Sequence, residues 1–437
     1  MKHSTLKNWF IATLGVLALA ISCVDEPYKY QVASGVPEIY FIRPAGTAKD
    51  TLLTGAYMGN SLCIVGNNLR STYRVLFNDC EAVLNSSFMT DHTILLEVPN
   101  KIPGEVSDNV YLITKQQDTV KFPFQVLVPG PVVSEMSCEW AAEGSVATIS
   151  GDYFIDDPNV PLTLTFPGNK QAQISSFSKT LLTFTVPEGA AEGPVTVKTV
   201  YGSVESAFHY KDSRGILFDF DTDPRLKCHG WHNALFIGSD ETSLNGNYLR
   251  LGDGNTVMND EAWADGQFSF EYWPGDWDSP VTYADSPRLT ELVDFTDWEN
   301  MLLKFELNVP ASNPWSAGMM QIIVGGVDKI TGGAAGATDI DGNTLAGANN
   351  TFFNNNTLPR GLYQPWAGVG SFDTGGEWIT VTIPYKNFVY ASDGTQASGK
   401  LTASDFSSLT LFVWKGVGGI ECTPIIKIDN IRAVPNK

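Results

Sequence analysis

One pattern occurs twice in the first half of this chain, and few folds can accommodate it. In the first copy Leu62-Cys63-Ile64-Val65-Gly66-Asn67-Asn68-Leu69 leads to Tyr73-Arg74-Val75-Leu76-Phe77 and closes on Thr93-Ile94-Leu95-Leu96-Glu97-Val98-Pro99. The second runs Ala147-Thr148-Ile149-Ser150-Gly151-Asp152-Tyr153-Phe154, then Leu162-Thr163-Leu164-Thr165-Phe166, then Leu181-Leu182-Thr183-Phe184-Thr185-Val186-Pro187. Alternating apolar and polar positions give half-buried strands, and the glycine is expected to supply the positive φ of a turn. A sheet apolar on one face needs a second layer to cover it, so each copy is read as a β-sandwich.

Length and composition fit that reading. A chain of 437 residues exceeds a single core and suits about three domains. Its 17% charged residues, 24 prolines and 40 glycines point to an all-β protein rich in turns. We place the two sandwiches at 36–129 and 130–212, joined by Val128-Pro129-Gly130-Pro131, where consecutive prolines restrict the backbone. His209 to Arg214 forms a second short junction. From 213 to 437 the texture is that of a larger β-sandwich or jelly roll. Ile216-Leu217-Phe218-Asp219-Phe220 opens it and Ile425-Ile426-Lys427-Ile428-Asp429-Asn430-Ile431 closes it, and such first and last strands are expected to pair. Residues 331–357, rich in Gly, Ala and Asn, are expected to form a long loop.

The N-terminus reads as an export signal. Met1 to Asn8 is short and basic, and Trp9 to Ile21 is an apolar run too short to span a membrane. Residues 1–22 are therefore a signal peptide, and Ala20-Ile21-Ser22-Cys23 resembles the lipobox of bacterial lipoproteins, with Leu19 one place early. The resemblance implies lipidation of Cys23 and a tether over 23–35. Asp25 and Glu26 resemble the surface-export signal of Bacteroidota lipoproteins. The alternative is an ordinary periplasmic protein cut near Ser22. Membrane contact is expected through the lipid anchor only.

A formal net charge of −20 excludes nucleic acid and an anionic membrane surface as partners and is compatible with a neutral polysaccharide. Apart from Cys23 the cysteines are Cys63, Cys80, Cys138, Cys228 and Cys422, without Cys-x-x-Cys spacing, so no zinc site is expected. Cys63 with Cys80 is the disulfide worth testing.

Nine of the eleven tryptophans follow residue 214, several in polar segments broken by Pro or Gly. A flat ring on a stiff loop can stack on a pyranose face while its neighbours bond the hydroxyls. The expected glycan contacts are the rings of Trp273, Trp277, Trp315, Tyr363 and Trp366 with the polar side chains of Asp276, Asn313, Gln364 and Arg360. Asp278 and Asn354 to Asn356 are further partners, the asparagines serving equally as turn formers. Trp378 and Trp414 lie in alternating strands and Trp298 leads into one; these are expected in the core, and Trp140 is expected to pack. Catalysis finds little support. Glu271, Asp276, Asp278, Glu306 and Glu377 include no pair singled out for glycoside hydrolysis, and Gly-x-Ser-x-Gly and His-Glu-x-x-His are absent.

The repeated Ile-x-Gly-x-x-Leu, Val-x-Phe and terminal Val-Pro pattern over about 36–211 resembles the IPT/TIG immunoglobulin-like family, degenerate in the second copy at Phe154 and Leu164-Thr165-Phe166. The whole layout resembles the surface glycan-binding protein B group of Bacteroidota polysaccharide-utilisation systems, with a C-terminal part similar to its xyloglucan-binding domain. That resemblance implies a non-catalytic outer-membrane lipoprotein that captures a β-glucan or xyloglucan-like polysaccharide and passes it to a transporter and surface hydrolases. No cofactor is required. Jelly-roll sugar binders often carry a structural calcium near their terminal strands, for which Asp219, Asp221 and Asp429 are suitable oxygen ligands. A scaffold or adhesin binding proteins through its IPT-like domains, and a surface hydrolase, are the alternatives.

Overall fold

The computed structural model describes residues 35–46, 51–222, 236–259, 261, 265–272, 287–326 and 358–436. Cys23, Cys228, Trp231, Trp263, Trp273, Asp276, Trp277, Asp278 and Asn354 to Asn356 lie outside the described residues. Within them the regular secondary structure is almost wholly strand, with one short α-helix, Asp265–Phe268, and isolated 3₁₀ turns. No helix there is long and apolar enough to cross a membrane.

The chain divides into two compact units, ending and beginning at Pro129 and Gly130. In the first, strands Glu38–Pro44, Ser61–Asn67 and Thr93–Glu97 form one sheet. Cys80–Ala82, Thr72–Phe77, Asn109–Thr114 and Thr119–Pro123 form a second, and Gly55–Tyr57 pairs in parallel with Gln125–Leu127 as a small third. Between them lie Ile42, Leu62, Ile64, Val75, Ile94 and Leu112, with Phe77 edge-on to Phe124 at 5.8 Å.

The second unit begins with a sandwich of the same kind. Val132–Met136, Val146–Asp152, Leu181–Thr185 and Gln173–Phe177 face Lys170–Gln171, Thr163–Phe166, Gly193–Thr199 and Gly202–Tyr210. Its core holds Ile149, Leu164, Phe166, Leu182, Phe184 and Val197, and the buried Tyr210 hydroxyl donates to the Ala141 carbonyl at 3.0 Å.

The repeated glycine has a different cause from the expected one. Gly66 and Gly151 sit within strands, where a Cβ would fall 1.8 Å from the Glu38 carbonyl oxygen and 1.9 Å from that of Val132. A neighbouring strand bulges against each, between Ile39 and Phe41 in one copy and between Val133 and Glu135 in the other. Positive φ occurs two residues later, at Asn68 (53°) and Tyr153 (57°).

The rest of the second unit is a two-sheet domain. Its proximal sheet runs Phe236–Gly238, Tyr248–Leu251, Ile426–Pro435, Met301–Asn308, Ile379–Pro384, with Ile216–Phe218 added to the closing strand through Ile216↔Arg432 and Phe218↔Ile431. The first and last strands pair as expected. Its distal sheet runs Ser269–Tyr272, Ser408–Gly419, Ala317–Gly325, Gly361–Tyr363. Leu303, Phe305, Leu307, Ile428 and Ile431 pack against Phe270, Tyr272, Met320, Ile322, Leu411 and Val413.

The outer face of the proximal sheet is sealed by the second immunoglobulin-like domain. Thr380 N–H donates to the Ser137 carbonyl at 2.9 Å, and Glu139 N–H donates to Thr380 Oγ1 at 2.7 Å. Glu139, only 3% exposed, accepts from Lys304 Nζ at 2.5 Å and from Arg432 Nη2 at 2.7 Å, while Arg432 also holds Glu306 at 2.8 Å. Two acids and two bases thus neutralise each other where domain meets domain. The junction expected to be short leads into a buried joint between the two domains.

Cys63, Cys80, Cys138 and Cys422 are free thiols, so the Cys63–Cys80 pairing does not form. Trp414 is buried, Trp298 packs on the core of the same domain, and Trp140 and Trp378 pack against the second sandwich.

Candidate functional site

The distal sheet sorts its residues by strand alternation. Phe270, Tyr272, Leu409, Leu411, Val413, Met320, Ile322 and Val324 point into the core. Their neighbours Glu271, Thr410, Phe412, Trp414, Gln321 and Ile323 alternate to the other face of the sheet, where Ile323, Phe412 and Trp414 are also part of the buried core, paired as Glu271↔Thr410, Thr410↔Ile323, Phe412↔Gln321 and Trp414↔Met319. This face is polar and aromatic yet withdrawn from solvent: Glu271, Thr410 and Gln321 are each 1% exposed, and the Phe412 and Trp414 rings stack at 5.4 Å. Arg360 joins it, donating from Nη1 to Gln321 Oε1 at 2.5 Å. Burial pushes the Arg360 guanidinium down to about 10, against the opposing pull of Asp393.

Several strand ends meet at one end of this sheet. Tyr272 pairs with Leu409, Gly325 with Ser408, and Gly361 with Ile322, so Tyr272, Gly325 and Gly361 stand at the same end of the sheet. Only Ser408–Gly419 separates the strands of Tyr272 and Gly325, a gap of two strand spacings or about 10 Å. Trp273, Asp276 and Trp277 follow directly after Tyr272, and Asn354 to Asn356 shortly precede Leu358.

Of the other expected contacts, Arg360 directly precedes Gly361 at that end, and the rest lie elsewhere. Trp315 is wholly buried at the opposite end, its Nε1 donating to the carbonyls of Ala317 at 2.8 Å and Gly318 at 3.0 Å. Trp366 is 6% exposed and its Nε1 donates to the same Gly318 carbonyl at 2.9 Å. Both rings are core elements, which corrects their reading as stacking platforms. Arg360, with no exposed surface, is corrected likewise. Tyr363 turns toward the core beside Phe305 at 6.1 Å and Trp315 at 6.0 Å, and burial raises its hydroxyl to about 12.

Asn313 acts as a clamp, its amide donating to the Gly254 carbonyl at 3.3 Å and the Thr423 carbonyl at 2.9 Å. Gln364 is half-buried, its carbonyl closing a turn with Ala367 N–H at 3.1 Å. Of the carboxylates considered for hydrolysis, Glu306 is fixed by Arg432, Glu271 is buried in the distal sheet and Glu377 is exposed on a turn.

Sequence reasoning missed the joint. Its signal was present: Lys304 and Glu306 alternate with Leu303, Phe305 and Leu307, and Lys427, Asp429 and Arg432 interrupt an apolar closing strand. Charges in such strands mean either a solvated face or a partner domain, and only the fold chooses.

Comparison with known proteins fits this architecture. A family model described as the surface glycan-binding protein B xyloglucan binding domain matches residues 210–435, and one for the IPT/TIG domain matches 131–213. Among solved structures, the surface glycan-binding protein PbSGBP-B from Prevotella bryantii is 46% identical, with a TM-score of 0.80, covering 92% of this chain and 100% of that one. An SGBP-B from a complex xyloglucan utilization locus in Bacteroides uniformis is 18% identical with a TM-score of 0.41, covering 92% of this chain and 100% of that one. An IPT/TIG domain-containing protein of Bacteroides ovatus is 26% identical over 165 residues, 35% of this chain; the match spans 32% of that curated relative's length.

Proposed function

The chain belongs to the surface glycan-binding protein B family, and on that footing we propose that it captures a neutral polysaccharide of the β-glucan or xyloglucan class without cleaving it. One observation carries this reading beyond membership: Tyr272, which Trp273, Asp276 and Trp277 follow in the sequence, stands at the same end of one sheet as Gly325 and Gly361, which flank the asparagine-bearing stretch in the sequence. Aromatic faces and amide side chains are the groups a neutral sugar needs, a flat ring for its C–H face and paired donors and acceptors for its hydroxyls.

The strength of such a site is modest. A stacked ring contributes about 1–3 kcal/mol in the related case of nucleic-acid bases. Two rings with a few hydrogen bonds give micromolar affinity, roughly 8 kcal/mol, and a long polymer is retained by many such contacts. In this reading Cys23 carries the lipid that holds the protein on the outer membrane, the immunoglobulin-like domains act as a spacer, and the captured glycan passes to an outer-membrane transporter and surface hydrolases. The sealed joint supports the spacer role, since it keeps the glycan-binding domain in fixed orientation on the domain before it.

Affinity electrophoresis of the purified chain against xyloglucan, mixed-linkage glucan, β-1,3-glucan, mannan and xylan tests the proposal. Retardation by a β-glucan without release of reducing ends is the expected result. Retardation by none of them would favour a protein-binding scaffold, and release of reducing ends would indicate a hydrolase.

A further inference from the structure

Beside the sealed joint the two domains of the second unit stand apart and enclose a cleft of about 680 Å³. Sites for small molecules run from about 300 to 1,000 Å³ and favour domain interfaces. Ser137, whose carbonyl accepts from Thr380 N–H in the joint, also lines the cleft, so the two adjoin. Ala142, Ser145 and Val146 belong to the immunoglobulin-like wall, and Ser243, Leu244, Glu377 and Trp378 to the wall of the C-terminal domain. The joint covers the outer face of the proximal sheet, and the distal sheet packs on its inner face. The cleft is therefore separate from the end where Tyr272, Gly325 and Gly361 stand.

Trp378 directly precedes the strand Ile379–Pro384 and is half-buried. Its Nε1 donates to the Thr242 carbonyl at 2.8 Å, and its ring meets the buried Tyr248 ring edge-on at 5.8 Å. The indole is thus fixed before any ligand arrives, and a fixed ring loses little freedom on binding. Three hydroxyls of the cleft have spare capacity. Ser137 Oγ accepts from Thr148 N–H at 3.0 Å and Ser243 Oγ from Asp240 N–H at 2.9 Å, which leaves each O–H to donate. Ser145 Oγ donates to the Ala142 carbonyl at 2.6 Å, which leaves its lone pairs to accept. Glu377 is exposed and is the one charged side chain of the lining. A held ring between apolar Leu244 and Val146, with spare donors and acceptors and no cation, matches a neutral sugar and offers an acidic one nothing to neutralise it.

We propose that this cleft is a second glycan contact, which takes a short stretch of a neutral gluco-oligosaccharide with its C–H face on Trp378 and its hydroxyls on Ser137, Ser145, Ser243 and Glu377. The inference rests on the capture role proposed above and adds a site to it. One ring and a few hydrogen bonds give a dissociation constant of about 1 mM. Alone, such a site is too weak to retard the chain on a gel. On a polymer already held elsewhere on the same chain it acts at an effective concentration of about millimolar and raises retention about two- to ten-fold.

Indole N–H NMR of the full chain decides the matter, with the Trp378 resonance assigned through Trp378→Phe and with cellotetraose and a xyloglucan heptasaccharide as probes. The expected result is a saturable shift of the Trp378 resonance at about millimolar probe. The shift should persist in the Trp273→Ala, Trp277→Ala double variant, since those rings belong to the other site. Ala142→Arg fills the cleft and should weaken the response at least about ten-fold. Ala142 is exposed, so this variant should melt with wild type; Val146, 71% exposed, allows Val146→Arg as a second block should the first fold poorly. Gel retardation of the wild-type chain tests the capture role and the Trp378 shift tests the cleft, so the two can fail separately. No Trp378 shift in wild type, a shift unchanged in both blocking variants, or a shift that vanishes with Trp273 and Trp277 would overturn the second site.

Discussion

Glu139 reaches from the second immunoglobulin-like domain to Arg432 on the closing strand of the next, Oε2 accepting from Nη2 at 2.7 Å with Arg432 wholly buried. The partner acid Glu306, on the Met301–Asn308 strand, is held by the same guanidinium. Burial raises the Glu306 carboxyl, and Arg432 opposes that rise. Removing one member strands a charge in a low-dielectric interior. Glu139→Ala should therefore destabilise the second unit by about 3–5 kcal/mol, read as a lowered urea midpoint. The exposed Arg74–Glu81 pair provides the contrast, and its removal should shift the midpoint of the first unit little.

Trp315→Ala is expected to act on the fold and not on the ligand. The ring is fully buried and its Nε1 satisfies two carbonyls, so truncation leaves a cavity and unpaired acceptors at a cost of about 3–5 kcal/mol. Trp273→Ala and Trp277→Ala should do the opposite, abolishing retardation on glycan gels while leaving the melting temperature within a degree or two. Equal loss of stability in all three variants would remove the basis for the site.

Gly318 lies at the hub of the two buried indoles, its carbonyl accepting from both Trp315 and Trp366. Its φ is +72°, and a Cβ would lie 2.7 Å from Met258 Sδ. Gly318→Ala should cost about 1–2 kcal/mol from the left-handed backbone alone, with a further loss from the contact. Thermal unfolding gives the magnitude, and a crystal structure of the variant should show Met258 displaced.

Acid should weaken the proximal sheet at a defined place. Asp240 bonds Thr242 and the Tyr248 hydroxyl, and Lys427 lies near. Burial pushes its carboxyl up, but the Thr242 and Tyr248 hydrogen bonds, the Thr242 N–H and Lys427 outweigh it and hold the group at about 2. A folded value below the unfolded one means the stabilisation is complete above the ordinary 3.8 and is lost as pH falls toward about 2. Asp240→Asn should flatten the stability profile between those values, measured by urea midpoints across the acid range.

Much of the fold was legible because its signals are local. Strand alternation, the Val-Pro stops and the Gly-Pro punctuation are set by which φ and ψ each residue allows, and they gave the two repeated sandwiches and the pairing of Ile216–Phe218 with the closing strand. The repeated glycine was found for the wrong reason. A positive φ can be guessed from residue type, whereas the approach of the Glu38 and Val132 carbonyls to Gly66 and Gly151 depends on a bulge in another strand.

The site was legible only in part. Asn313-Pro314-Trp315-Ser316 and Tyr363-Gln364-Pro365-Trp366 have the same polar, proline-broken texture as the segment around Trp273. Texture cannot say that the Trp315 and Trp366 indole N–H groups will find the Gly318 carbonyl, which makes burial of these polar-flanked rings affordable. The sequence by itself determined the β class, the order of domains and the pool of aromatic candidates, because these follow from local conformation and composition. Tertiary structure alone decided which rings became core, that Glu139 would seal a joint with Arg432, and that Asp429 and Asn430 would be buried side by side, because burial and charge pairing are properties of neighbours in space.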